Sequence, residues 1–210
     1  DVSAWVQEQF NASLARLGVK DLYGLVLHRP QQLLEVGGVE IYESLQLLKT
    51  TGMVQKVGVS IYAPSELEAL TSQYRLDLIQ APFNLVDRRL HTDGWLKRLK
   101  YEGIEIHTRS TFLQGLLLMP YESIPKKFSR WLELWKKWRS WLLSNNITAI
   151  EASLAYPLSF PEIDRVVVGA DSVRQLKGII SAADIDVVEN LPDLQCKAED
   201  LINPARWSQL

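Results

Sequence analysis

Cysteine is nearly absent from this chain: Cys196 is the single one among 210 residues. That excludes an internal disulfide framework and any multi-cysteine zinc site, and it fits a reducing cytoplasm. Charge of one sign is lacking too. Lys and Arg number 23 against 25 for Asp and Glu, and a net charge of -2 gives no electrostatic case for a nucleic-acid partner. No stretch approaches the roughly 18 uninterrupted apolar residues that span a bilayer; the best candidate, "FLQGLLLMP", is interrupted by Gln114 and Gly115. Glycine-rich phosphate loops of the G-x-G-x-x-G or Walker type are missing. The three histidines, His28, His91 and His107, show no close metal-ligand spacing, so no metal site is expected. The first residues, "DVSAWVQEQF", have neither a basic start nor an apolar core and so do not read as a signal peptide. They also lack an initiator methionine and open inside an amphipathic helix with Trp5, Phe10, Leu14 and Leu17 near one face. Residues are expected to be missing before Asp1.

What is present is an ordinary globular composition, 47% hydrophobic and 23% charged, with enough chain for a sizeable core. Five short apolar runs alternate with helical patterns: 22–28, 55–60, 76–83, 103–110 and 165–170. They read as continuous rather than alternating, as parallel strands covered on both faces do. Between them, Ile41, Leu45 and Leu48 mark one helix, and Trp95 and Leu99 another. "APSELEAL" opens a helix with Pro64 in its first turn and a Ser65/Glu68 capping box, and Ser172 and Gln175 open the last one in the same way.

The segment 126–144 places Phe128, Trp131, Trp135, Trp138 and Leu142 at 3–4 spacing among basic residues. A membrane-surface helix has that pattern, but an outer helix packing its aromatic face on neighbours has it more often. From 184 onward a polar, proline-punctuated tail follows. Strand–helix repeats without hairpins predict a parallel sheet with right-handed crossovers. Polar residues stand at the carboxyl ends of several different strands, where barrel enzymes keep their sites. The expected fold is therefore α/β, a (β/α)8 barrel in a single domain that lacks its first three strands.

His28 ends the first run and is followed by Arg29-Pro30. A lone histidine is more often structural than catalytic, but this position favours a role at a barrel mouth. Ser60 and Gln80 end two further strands. No G-x-S-x-G elbow surrounds the serine, so it is no nucleophile; the pair either hydrogen-bonds a planar amide or caps loops. Arg109 can stack on an aromatic ring, bind an anion or pair with a neighbouring carboxylate. Gly169 and Ala170 precede a helix start, a favoured phosphate position.

Taken together, "LYGLVLHRP", "GMVQKVGVSIY", "LIQAPFNLVDRR", "GIEIHTRSTFLQGLL" and "VVVGADSVRQL" resemble, in order, five motifs of the aldo-keto reductase superfamily. The resemblance covers about 22–180. It implies a (β/α)8 barrel that transfers hydride between NADP or NAD and a carbonyl compound, an aldehyde or ketone; the "RSTFLQGLL" stretch is similar to that of bacterial members encoded with surface-sugar biosynthesis enzymes, which implies a sugar-derived substrate. By motif position His28 orients the carbonyl, and Ser60 and Gln80 hold the nicotinamide carboxamide. Arg109 takes the place of a tyrosine that stacks on the nicotinamide. Ser110, Phe112, Leu113 and Gly115 pass the pyrophosphate, and Gly169, Ala170, Ser172 and Gln175 hold the adenosine phosphate. The family's aspartate, tyrosine and lysine belong to strands without a counterpart here, some 80–90 residues at roughly 30 per strand–helix unit. Ile61 replaces a usual asparagine, while Gly169 and Gln175 stand where NADPH-preferring members often carry Lys and Arg. The expected partner is a small-molecule carbonyl substrate, with no nucleic acid and no membrane; the alternative is a non-catalytic cofactor-binding barrel with a regulatory role.

Overall fold

The computed structural model describes residues 1–184 and 190–210. Its five strands are β1 (Leu22–Leu27), β2 (Val54–Ser60), β3 (Leu78–Pro82), β4 (Glu105–Arg109) and β5 (Arg165–Val166). They form one sheet in the order β1-β2-β3-β4-β5. The β1–β2, β2–β3 and β4–β5 pairings are parallel. The fold is α/β with a parallel sheet, as expected, and β1 and β5 are the sheet's edges rather than partners closing a barrel. The first four strands match the expected runs within a few residues. The fifth is shorter: after Val167 donates to the carbonyl of Thr108 at 2.7 Å, the chain leaves the sheet to reach the next helix.

The helices are α1 (Val2–Leu17), α2 (Gly38–Thr50), α3 (Leu67–Gln73), α4 (Arg89–Thr92), α5 (Trp95–Tyr101), α6 (Leu132–Asn145), α7 (Ala149–Leu158), α8 (Val173–Ala183) and α9 (Glu199–Ile202). Local chemistry sets their ends, and two expectations are corrected there. On α1 the buried positions are Val6 and Phe10, while Trp5 and Leu17 are exposed. Before α3 the capping carboxylate is Glu66, not Glu68. Glu66 accepts from the backbone N–H groups of Tyr62 and Ala63 at 2.7 Å each, because the chain enters its helical turn at Pro64. Glu68 pairs with Arg98 instead. At α7 an unforeseen capping box joins Thr148 and Glu151, and these bonds hold the Glu151 carboxyl below the usual range.

The chain divides into two compact units, 1–81 with 98–106 and 82–97 with 107–210. Unit 1 carries β1, β2, most of β3 and the start of β4. Its core centres on Val57, Val59, Leu67 and Ile79. β1 is half-buried along most of its length, unlike the expected two-sided cover, because it is an edge. The amino-terminal strand ends carry ion pairs, Lys49 with Asp77 at 2.6 Å and Lys56 with Glu105, to which Tyr23 also donates. Such pairs belong to stability rather than to a mouth.

Unit 2 is rich in aromatic packing. A 3₁₀ segment, Lys126–Trp131, precedes α6, and Phe128, Trp135, Trp138 and Leu142 are buried. The indoles of Trp135 and Trp138 donate to the carbonyls of Phe128 and Leu117. The stripe is thus the inner face of a packed helix. Of the tail expected from 184, residues 185–189 lie outside the described residues. Further on, Phe128 meets Trp207 edge-on at 4.8 Å and Cys196 N–H bonds the Val86 carbonyl at 3.0 Å. Among the described residues no helix is long and apolar enough to cross a membrane.

Candidate active site

Parallel register decides what the strand ends of unit 1 can do. Ser60, the last residue of β2, lies opposite Gln80, which is the middle residue of β3 rather than its end because the strand continues through Ala81 and Pro82, and the Ser60 hydroxyl donates to Gln80 Oε1 at 3.1 Å. Tied in this way, the pair offers the Gln80 Nε2 amide as donor and the Ser60 oxygen as acceptor, side by side. That is the complement of a planar amide. The next residue, Ile61, donates its N–H to the Gln80 carbonyl and is completely buried, so the position of the family's asparagine serves the core here. His28 follows β1 directly, is exposed, and meets the Tyr62 ring edge-on at 6.2 Å.

In unit 2, the loop after β4 and the start of α8 line a cleft of about 980 Å³. Of the residues expected at a ligand, Arg109, Ser110, Phe112 and Gly115 line it from the loop, and Gly169, Ser172 and Gln175 from the helix start. Two expected residues stand apart. Leu113 is completely buried, because the loop folds it inward as an apolar anchor, and exposed Ala170 does not line the cleft.

The loop holds an uncommon backbone. Ser110, Leu113, Gln114 and Gly115 have φ of 61°, 46°, 52° and 84°. Left-handed conformations at non-glycine residues cost roughly 1 kcal/mol or more each and persist where surrounding contacts fix them. Here Leu113 N–H returns to the Ser110 carbonyl at 2.8 Å and Leu116 N–H to the Leu113 carbonyl at 3.0 Å. At α8 the Ser172 hydroxyl accepts from Gln175 N–H at 3.2 Å, as foreseen. Gln175 Oε1 reaches one residue further back than a capping box requires, to Asp171 N–H at 2.7 Å.

Residues not foreseen also line the cleft, among them Thr111 and Gln114 in the loop, Ile150 from α7, and Asp171 and Arg174 at α8. Arg174 was legible as a cation in the first helical turn, whereas Ile150 gave no signal because only the fold brings α7 there. Thr111 is the informative one. Its hydroxyl is buried without a hydrogen-bond partner, a state that costs about 1–3 kcal/mol unless something else satisfies it. The unpartnered Thr111 hydroxyl, the guanidinium groups of Arg109 and Arg174, which outnumber the one carboxylate of the lining, Asp171, and the N-terminal turn of an eleven-residue helix fit an anionic, oxygen-rich group such as a dinucleotide's phosphates. None of the three histidines lines this cleft. His91 packs on Phe160 at 4.9 Å, and His107 is buried within β4. No cluster of three His, Cys, Asp or Glu suited to a metal occurs among the described residues.

The model of the aldo/keto reductase family matches residues 2–192. The chain belongs to that family. It is 27% identical over 191 residues to the uncharacterized oxidoreductase YqkF of Bacillus subtilis, covering 86% of this chain and 60% of that protein. Among solved structures it resembles the holo form of aldo-keto reductase AKR11C1 from Bacillus halodurans, with a TM-score of 0.71 and 22% identity over 90% of this chain and 64% of the other. It also resembles the glycerol dehydrogenase AKR11B4 from Gluconobacter oxydans, with a TM-score of 0.67 and 19% identity over 90% and 61%. At these identities the structures speak for the aldo/keto reductase fold. The chain spans less than two thirds of the length of each of these relatives.

Proposed function

We propose that the protein is an oxidoreductase that reduces an aldehyde or ketone with a nicotinamide dinucleotide, NADP or NAD. The observation that carries this reading is the unit 2 cleft, where a strained loop and a helix start surround an unsatisfied buried hydroxyl and two guanidinium groups. When bound, the dinucleotide supplies the hydride. The chain's own residues bind and orient. Thr111, Ser172 and Arg174 would receive the dinucleotide's phosphate oxygens, and Arg109 would pack against its nicotinamide. In unit 1, the Ser60–Gln80 pair would offer an acceptor and a donor to a planar amide such as the carboxamide. His28 donates a hydrogen bond to the substrate oxygen and so stabilises the charge that develops there. The family's tyrosine, lysine and aspartate match no position in these 210 residues, so proton delivery is assigned to no side chain of this chain. Substrate class beyond a small carbonyl compound, a sugar-derived one included, rests on the family resemblance.

The test is a titration with NADH and NADPH followed by tryptophan fluorescence. Saturable binding that Arg109→Ala weakens by up to about thirtyfold supports the reading, since a stacked cation contributes about 0.5–2 kcal/mol. In the complete protein with a carbonyl substrate, His28→Ala should lower kcat/KM about 10²–10³-fold while dinucleotide affinity stays unchanged. Binding without turnover by the complete protein favours the regulatory alternative, and absence of binding sinks both.

A further inference from the structure

Asn84 stands just after β3 in unit 2, outside the cleft lining, and is completely buried. A buried amide must place its donors and acceptors inside the protein. Its Oδ1 accepts from the backbone N–H groups of Val86 and Asp87, both at 2.9 Å, which closes the turn 84–87. Its Nδ2 donates to the carbonyl of Ser110 at 3.0 Å. The preceding residue repeats the move: Phe83 N–H donates to the Arg109 carbonyl at 3.0 Å. Two consecutive residues therefore grip two consecutive carbonyls where the cleft loop begins, and the second of these belongs to left-handed Ser110. The turn is itself held from its other side. Arg88 donates to the carbonyls of Leu85 and Pro192, and Cys196 N–H to that of Val86.

We infer that Asn84 is the positioning residue of the dinucleotide cleft. It offsets the strain at Ser110, fixes the course of the loop through Arg109 and Thr111, and so sets dinucleotide affinity without touching the ligand. The tail segment around Pro192 and Cys196 is the outer brace of the same device. The inference rests on the dinucleotide reading above.

Asn84→Asp separates this role from simple packing. The carboxylate keeps an acceptor for Val86 and Asp87 but puts an oxygen in place of one of the two donors at the Ser110 carbonyl, the other being Leu113 N–H. Dinucleotide dissociation constants should rise about tenfold. In the dinucleotide-free protein, amide hydrogen exchange should accelerate in 110–115 while Val86 and Asp87 stay protected. Adding Ser110→Gly, which takes a left-handed conformation unaided, should recover much of the affinity. If Asn84→Asp does not fold alone, the double variant is the test, because a loop defect is one that glycine relieves. Unchanged exchange in 110–115, a uniform loss of protection, or no recovery in the double variant overturns the inference. Should the wild type bind neither dinucleotide, the exchange data still decide whether Asn84 sets the loop, and the cofactor reading alone falls.

Discussion

Ser60 and Gln80 meet because two parallel strands place them opposite one another, whereas the loop from Arg109 to Gly115 keeps its shape through four left-handed residues and the carbonyls that neighbours hold. The first arrangement inherits its precision from a ladder and spends side chains on it. The second spends backbone conformation and leaves a hydroxyl unsatisfied. A strand end is therefore intolerant of added bulk but indifferent to φ, while the loop has room and depends on φ.

Glycine substitutions break the comparison most sharply. Gly58 pairs with Leu78, and a Cβ there would overlap the Leu78 carbonyl and side chain. Gly58→Ala must push β2 and β3 apart, and a loss of about 3 kcal/mol is expected, the upper part of the range for overpacked cores. Gly169 lines the cleft with nothing within 4 Å of an added Cβ. Gly169→Ala should therefore cost less than about 0.5 kcal/mol. Urea unfolding of both variants decides; similar losses would erase the contrast.

The same contrast explains what the sequence disclosed. Apolar runs stopped by a polar residue revealed β1 to β4 and placed His28, Ser60 and Arg109 at strand ends, because a period and its interruption are written in residue types; Gln80 sits mid-strand instead, since β3 runs on through Ala81 to Pro82. The short β5 escaped, since "RVVVGA" reads as six strand residues and only the departure towards Ser172 ends it after two. In the loop, Gly115 signals a left-handed residue, but Ser110, Leu113 and Gln114 do not, and their φ values depend on bonds from residues such as Asn84. Thr111 looked like any loop threonine; its missing partner is a property of the fold. Leu113 was matched by its motif position, yet the left-handed turn sends it inward.

What braces the loop side can be probed by pH. Tyr156 stacks on Phe83 at 5.0 Å, with the Arg88 guanidinium 4.8 Å over its ring, and burial pushes its phenol from 10.0 up to about 12. Between these values the unfolded chain loses the proton while the folded chain keeps it. The contribution is complete below about pH 10 and is lost as pH rises towards 12, up to about 2.7 kcal/mol at 1.36 kcal/mol per unit. Tyr156→Phe has no proton to lose, so its urea midpoint should fall less between pH 9.5 and 11.5 than that of the wild type. Parallel declines would place the phenol in a wetter setting than the packing around Phe83 implies.

The smallest effects sharpen the comparison at its two serines. Ser60→Ala removes a mostly buried donor to Gln80 Oε1, a bond contributing about 1 kcal/mol. Ser110→Gly removes a hydroxyl that accepts only a long bond of 3.3 Å from Arg109 and relieves a left-handed φ of 61°. That relief, roughly 1 kcal/mol, is set against the extra freedom glycine gives the unfolded chain, of similar size. The net change for Ser110→Gly should stay within about 0.5 kcal/mol, smaller than that for Ser60→Ala. Denaturation of the two single variants under one condition measures the order directly. Were Ser110→Gly the costlier, the loop would depend on that hydroxyl rather than on its backbone, and the distinction between a ladder-built and a backbone-built half would have to be redrawn around side chains in both.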